Sequence, residues 1–419
     1  MKFIIFLDAL DYNDLTPWFK DNLITQYNPG VPKVTPNVIS QIMTGKRQED
    51  LEFTRSTPFK KPRYTDIKDE TICHYAAKER ELKILQYGIP LCANIDLPEG
   101  SFSMYDHFIH GPQNIAPIFQ FVRENVSFLD DHPELIFHSY VDQASILFST
   151  IRALARNGNF DVIFLGYQPL DAYTHWYNRE NRIRLLQYLE EEIKDLSRYG
   201  DILFFSDHGG QKQEKIFFVN KWLQEKGYLH YTIYEDLIEY HKELENKKEE
   251  KFPDMILPQD PFVKIDFEKT KFLCVDAFDC MIDATVNATE QDLENIKSEL
   301  MNTGYFNSVN LKTEIFDKDG EHFEETPMII ADTALGVNAS CNIHPNAEKG
   351  KNLENTRTGW HSHRGVVGSN DKELSTKISK PSDIYLLMKE FIDKQEPESK
   401  KRESDQKNLE DLLMEGQYI

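Results

Sequence analysis

Ile202-Leu203-Phe204-Phe205-Ser206-Asp207-His208-Gly209-Gly210 joins an apolar run to two ligand-type residues and a pair of glycines. A run without polar alternation fits a strand buried on both faces of a parallel sheet. Open α/β sheets collect their chemistry outside the carboxyl ends of the strands, and that is where Asp207 and His208 would stand. Gly209 and Gly210 carry no Cβ and let backbone approach whatever the two side chains face. An Asp-His-Gly loop can also be a plain turn, so the weight falls on whether other strands end the same way.

Two others do. Phe3-Ile4-Ile5-Phe6-Leu7 is a second apolar run, and Asp8 follows it at once; the competing role for that acid is to cap the next turn with Asp11 or Asn13. Phe160 to Tyr167 is a third, and just beyond it comes Asp171-Ala172-Tyr173-Thr174-His175. An Asp and a His four apart share one face of a helical turn and suit one ion. A helix is expected from Asn178 to Tyr199, with Leu185, Leu186, Leu189, Ile193 and Leu196 inward and Glu190-Glu191-Glu192 on its solvated face.

Lys33-Val34-Thr35-Pro36-Asn37-Val38-Ile39-Ser40-Gln41-Ile42-Met43-Thr44-Gly45 adds a hydroxyl. Proline suits the first helical position, which places Thr35 at the N-cap. Val38, Ile39, Ile42 and Met43 recur at helical spacing, and Gly45 ends the helix. The positive end of a helix favours an alkoxide or a bound phosphate, although Thr-Pro before a helix is most often an ordinary cap. Residues 46 to 66 form a basic loop with Lys46, Arg47, Arg55, Lys60, Lys61 and Arg63. Helices are expected over Glu70–Arg80, Pro112–Asn125 and Val141–Ala155, and a strand over Leu82–Tyr87.

After a helix ending near Gly227 the character changes. Residues 231–260 are heavily charged, and 261–330 return to strand-like runs with one helix near Glu290 to Met301. This stretch reads as a cap or insertion. Met328-Ile329-Ile330-Ala331-Asp332 is expected to re-enter the main sheet. Gly359-Trp360-His361-Ser362-His363-Arg364-Gly365-Val366-Val367-Gly368 is expected to be a loop leading into a strand, its histidines supplying a further ligand. A last core helix spans 382–393. The fold class is α/β, a mostly parallel central sheet flanked by helices with a smaller α+β cap or insertion. Its parts are a core over 1–230, the lobe over 231–327, the rest of the core over 328–393, and a disordered tail over 394–419.

Across 419 residues, hydrophobic content of 40% and aromatic content of 12% read as globular. A net charge of −22 argues against stable binding to nucleic acid or to an anionic membrane. Any phosphate ester would need positive charge supplied locally, and divalent cations are the obvious source. Cys73, Cys92, Cys274, Cys280 and Cys341 form no CxxC pair, so neither a disulfide framework nor a thiolate zinc site is indicated. Cys274 and Cys280 read as core thiols. The N-terminal apolar run is too short for a signal peptide, which makes a cytoplasmic protein the expectation.

Taken in order, strand-Asp8, Thr35 nine residues before Thr44-Gly45, Asp171-x-x-x-His175, Ser206-Asp207-His208-Gly209 and a histidine before Gly365 resemble the alkaline phosphatase superfamily. Within it the type I phosphodiesterase/nucleotide pyrophosphatase branch is the most similar, and Asn220-Lys221-Trp222-Leu223 with Gly227-Tyr228-Leu229 adds to the likeness. The resemblance implies two divalent ions, zinc or else manganese. One would be held by Asp8, Thr35, Asp207 and His208. The other would be held by Asp171, His175 and His361, with His363 as the alternative. It also implies that Thr35 is the nucleophile of a phosphoric ester hydrolase, that a phosphothreonine forms, and that the partner is a small phosphate ester. The phosphate-binding asparagine of the branch is missing, Ser56 standing in its place; Asn37, Lys46, Arg47 and Arg55 are the candidate substrate contacts. Alternatives are a phosphomonoesterase, a sulfatase-like esterase, or a catalytically silent metal-binding protein of the same fold. Thr35-Pro36-Asn37 lacks the Cys/Ser-x-Pro-x-Arg pattern of a sulfatase. A phosphoglycerate mutase would use a serine with a large domain inserted soon after it, which is not seen.

Overall fold

The apolar run Lys2–Leu7 (β1) is the middle of a seven-stranded sheet in a computed structural model of the chain. The structure describes residues 1–30, 33, 35–51, 70–89, 97, 99, 101–104, 133–157, 160–176, 179–233, 263–276, 280–341 and 359–395. Further strands are Leu23–Tyr27 (β2), Ile84–Tyr87 (β3), Phe102–Met104 (β4), Val162–Tyr167 (β5), Asp201–Phe205 (β6), Gly209–Lys212 (β7) and Lys215–Phe218 (β8). Tyr231–Ile233 (β9), Val263–Ile265 (β10), Phe272–Asp276 (β11), Met281–Ala284 (β12) and Phe306–Leu311 (β13) follow. Ile329–Thr333 (β14), Val337–Ser340 (β15), Gly359–Ser362 (β16) and Gly365–Ser369 (β17) complete the set among the described residues.

The main sheet runs β2-β17-β6-β1-β5-β3-β4. β1 pairs in parallel with β5 and β6, with Leu7 opposite Tyr167 and Phe6 opposite Phe205, so these three strands end level with one another. Only β17 runs against its neighbours. Side chains alternate across β1: Ile4 and Phe6 enter one core with Val38, Ile42, Leu387 and Phe391, while Phe3, Ile5 and Leu7 enter the other with Tyr140, Phe148, Leu185 and Leu189. The first core is covered by the Thr35–Thr44 and Pro381–Asp393 helices, the second by Pro133–Arg156 and Arg179–Leu196. Burial on both faces is why these strands lack polar alternation.

A second body packs β11-β12-β14-β13, all antiparallel, against the Glu290–Asn302 helix. Its own core holds Leu223, Phe272, Cys274, Cys280, Ile296, Leu300 and Ile329. Thr289 caps that helix by accepting from Asp292 N, and Asp292 returns the bond.

Several expectations are corrected. β14 belongs to the four-stranded sheet, so Met328–Asp332 does not re-enter the main sheet; β17 does. A short apolar run cannot tell which of two sheets it joins, because both bury it. Glu190 is buried rather than solvated, receiving Thr16 Oγ1, Trp18 N at 3.2 Å and Lys194 at 2.6 Å. Glu191 does face solvent. The helix expected over Glu70–Arg80 is Ile72–His74 continued by a wide π-turn, Tyr75–Glu79. Gly209-Gly210 opens a strand, and the histidine segment forms two strands, β16 and β17. The Pro112–Asn125 helix, Arg55, Lys60, Lys61, Arg63 and the tail beyond residue 395 lie outside the described residues. Among those described, no helix is long and apolar enough to cross a membrane.

Candidate active site

Level strand ends bring three acids to one place. Asp8 follows β1, and Asp207 and His208 follow β6. Asp171 and His175 come from the Pro169–Trp176 helix after β5, one helical turn apart. His361 arrives on β16, which pairs antiparallel with β7 and sets His361 opposite Gly210. Thr35 is the first residue of the ten-residue helix Thr35–Thr44. The close approach of the β7–β16 ribbon to the core depends on its glycines. A Cβ on Gly209 would meet Asp11 Oδ2 at 2.2 Å, and one on Gly210 would meet Arg182 at 2.3 Å.

The donor atoms fall into two adjoining sets. His208 Nε2 lies 3.1 Å from Thr35 Oγ1, 3.2 Å from Asp207 Oδ2 and 3.8 Å from Asp8 Oδ1. His175 Nε2 lies 3.2 Å from Asp171 Oδ2 and 3.3 Å from His361 Nε2, and His361 Nε2 lies 3.6 Å from Asp171 Oδ1. Tetrahedral zinc with bonds of about 2.0–2.1 Å separates its ligand atoms by roughly 3.3–3.4 Å, so both sets are close to the required spacing. Asp171 connects them, since one of its oxygens is also within 4.8 Å of ligand atoms of Asp8 and His208.

Histidine tautomers follow from the partners. His208 Nδ1 meets the Gly209 carbonyl at 3.1 Å, and His361 Nδ1 meets the Lys33 carbonyl at 3.1 Å. A carbonyl only accepts, so each Nδ1 carries the hydrogen and each Nε2 turns a lone pair to the site. Thr35 Oγ1 can then donate to His208 Nε2. The two rings stack at 3.7 Å between centroids.

The electrostatics call for positive charge. Asp8 Oδ1, Asp171 Oδ1 and Asp207 Oδ2 are buried without a hydrogen-bond partner. Two carboxylates 4.8 Å apart repel by about 3–4 kcal/mol at an effective dielectric near 20. Burial, then Asp207 and Asp171, hold the Asp8 carboxyl well above its ordinary range. Burial also works to raise Asp171, but His175 and His361 outweigh it and bring that carboxyl well below the ordinary range. Burial lowers His208 and so keeps it a neutral ligand. Carboxylate oxygens with unused lone pairs beside the neutral His208 imidazole fit a divalent cation.

The expected substrate contacts fare differently. Asn37 is buried, its carbonyl receiving Ser40 Oγ and Gln41 Nε2 within the helix. Lys46 pairs with Glu70, and Arg47 with Asp50 at 2.7 Å and Asp317 at 2.6 Å, so the structure turns both cations to carboxylates outside the site. His363 pairs with Asp332 and meets Asn28 at 2.9 Å, away from the Asp171–His175–His361 set.

Sequence reading missed the residues that hold the site together. Asp11 Oδ2 accepts from Gly210 N at 3.0 Å, Ser362 Oγ at 2.8 Å and Arg364 Nε at 3.0 Å, pinning the ribbon. Tyr27 Oη donates to the Ser206 and Asp207 carbonyls. Ala9 adopts φ +59°, a conformation rare for alanine, and its N–H reaches Asp207 Oδ1 at 3.3 Å. A non-glycine residue in that region next to Asp207 is the kind of strain found at functional sites, but nothing in the sequence announces it.

By sequence, no family model matches the chain and no curated protein matches it. Among solved structures, murine ectonucleotide pyrophosphatase/phosphodiesterase 5 is similar over 93% of this chain and 94% of its own, with 12% identity and a TM-score of 0.53. Phosphonoacetate hydrolase from Sinorhizobium meliloti, in complex with phosphonoacetate, is similar over 92% of this chain and 94% of its own, with 11% identity and a TM-score of 0.55. An inactive threonine-to-alanine variant of the murine protein, in complex with AMP, gives 12% identity and a TM-score of 0.54. With likeness spanning almost the whole of both chains, this protein shares the α/β fold of these solved structures.

Proposed function

We propose that the chain is a metal-dependent hydrolase of phosphate esters that works through a phosphothreonine at Thr35. The observation that carries this is the placement of one threonine hydroxyl, at a helix N-terminus, 3.1 Å from His208 Nε2 and next to the buried carboxylates of Asp8 and Asp207. Asp8, Thr35, Asp207 and His208 would hold one divalent ion, and Asp171, His175 and His361 the other. Zinc suits the nitrogen and oxygen donor set, and manganese is the alternative. When bound, such ions lower the pKa of a hydroxyl and of water and offset charge on phosphoryl oxygens.

The chain's own groups then have defined tasks. Thr35 Oγ attacks phosphorus in line, its proton passing to solvent, and the bond from phosphorus to the leaving oxygen breaks. The positive end of the helix that begins at Thr35 would favour the phosphoryl oxygens. Water then cleaves the phosphothreonine, returning the hydroxyl and releasing the phosphoryl group. Trp360 packs edge-on against His175 at 5.4 Å between centroids and fixes the plane of that ring. The inactive threonine variant of the murine neighbour supports the choice of nucleophile, and the AMP and phosphonoacetate complexes support a small phosphorus-containing anion as substrate.

The test is a panel of mono-, di- and sulfate p-nitrophenyl esters on metal-reconstituted protein, with and without Thr35→Ala. Turnover of a phosphate ester that disappears in the variant, with metal content unchanged, is the expected result. Equal turnover by the variant would remove Thr35 from its role. Metal binding with no turnover of any ester would favour the silent binding protein.

A further inference from the structure

Asp332 stands on β14 in the second body, yet it is 8% exposed and bonded to residues of the main body. Its Oδ1 accepts from Lys33 Nζ at 2.9 Å and pairs with His363 Nε2; its Oδ2 accepts from Asn307 Nδ2 at 3.0 Å. Lys33 is 1% exposed. Removing the carboxylate from so buried an ammonium would be costly, so the Lys33 segment is tied to Asp332. The Lys33 carbonyl is in turn the group that receives His361 Nδ1–H at 3.1 Å. His363, two residues beyond His361, is held by the same carboxylate. One side chain of the lobe therefore grips the strand carrying His361 from both directions. Asp207 and His208 are held differently, by Ala9 N, Tyr27 and Gly209, all in the main body.

We propose that Asp332 is a positioning residue for the Asp171–His175–His361 cation set. Through Lys33 it fixes the carbonyl that sets the His361 tautomer, and through His363 it fixes the turn that follows. It touches neither ligand atoms nor substrate, and its effect is confined to the second of the two cations in the reading given under Proposed function, on which this inference rests. Partners that orient a ligating histidine commonly change metal affinity by about tenfold to a hundredfold.

The experiment is a Co²⁺ titration of the metal-free full chain, followed by visible absorption, in wild type, Asp332→Asn and the Lys33→Met/Asp332→Asn double variant. The double variant leaves no unpaired buried charge and serves where the single variant fails to fold; circular dichroism of the metal-free proteins reports folding. Wild type is expected to take up two equivalents. The variants are expected to bind the first as wild type does and the second about tenfold to a hundredfold more weakly, with an altered spectrum for that equivalent alone. Two equivalents bound normally by both variants would overturn the inference and leave the functional reading intact. Equal weakening of both equivalents would also overturn it, since that is a general structural effect. A wild-type chain that binds no Co²⁺ would overturn the inference and the functional reading together.

Discussion

The two halves of the site are built by different means. Asp8, Asp207 and His208 sit directly on level ends of adjacent parallel strands, and Asp207 and His208 are 0% exposed. Asp171, His175 and His361 depend on a helical turn and on a two-stranded ribbon, with Asp171 and His175 only half buried. The three side chains of the first half are therefore placed by the sheet itself. The second is as well placed as Asp11, Lys33 and Asp332 make it. In the proposed function this would separate the demand for a fixed nucleophile from the demand for a second charge held from outside the sheet.

The largest effect belongs to the first half. Thr35→Ala is expected to lower hydrolysis of bis-p-nitrophenyl phosphate by about a thousandfold or more while metal content stays near two ions per chain, as read by elemental analysis. Next comes a contrast within the second half. His361→Ala should lose about one ion per chain and most activity, whereas His363→Ala should keep both ions and lose less than about tenfold. Equal loss in the two variants would break the distinction between ligand and support.

Smaller, and opposite in sign, are the effects on the chelated protein. The Asp8 carboxyl is raised by burial and by its acidic neighbours. The folded chain therefore binds that proton more tightly than the unfolded chain, and stability falls as pH rises from the ordinary carboxylate value through the raised one. Asp171 is lowered, so its contribution is present above the ordinary value and is lost as pH falls through the lowered one. At neutral pH without metal, Asp8→Asn should raise the melting temperature by about 2 °C or more and Asp171→Asn should lower it. Changes of the same sign would show that the two acids do not differ as described. The smallest effect expected is from Glu390→Gln, far from either half. Burial opposes the shift, but hydrogen bonds from Thr376 and Ser375 lower this carboxyl to about 2, so the variant's loss of stability should be full above the ordinary glutamate value and shrink toward zero as pH falls to about 2.

Much of the first half could be read from residues alone. Phe3–Leu7 and Ile202–Phe205 lack alternation because they are buried on both faces, and the strand-end rule then placed Asp8 and Asp207. His361 was preferred to His363 only through the resemblance, because the ribbon register that sets it opposite Gly210 is not encoded by residue type. Lys33, Asp11 and Asp332 were invisible, since each acts through a carbonyl or carboxylate contact between segments far apart in sequence. The misassignment of Met328–Asp332 to the main sheet has the same cause: β14 opens on an apolar pair that either sheet would bury, and its partners place it in the other sheet. Lys46 and Arg47 illustrate the converse, basic residues near Thr35 in sequence whose charges are spent on Glu70, Asp50 and Asp317.

The most direct test of the central claim is elemental analysis of the purified chain, paired with thermal melting before and after chelation. About two divalent ions per chain, and a melting temperature that drops on chelation and recovers when Zn²⁺ is restored, are the predicted result. Protein that carries no ion after incubation with Zn²⁺ or Mn²⁺, and melts identically with and without chelator, would contradict it.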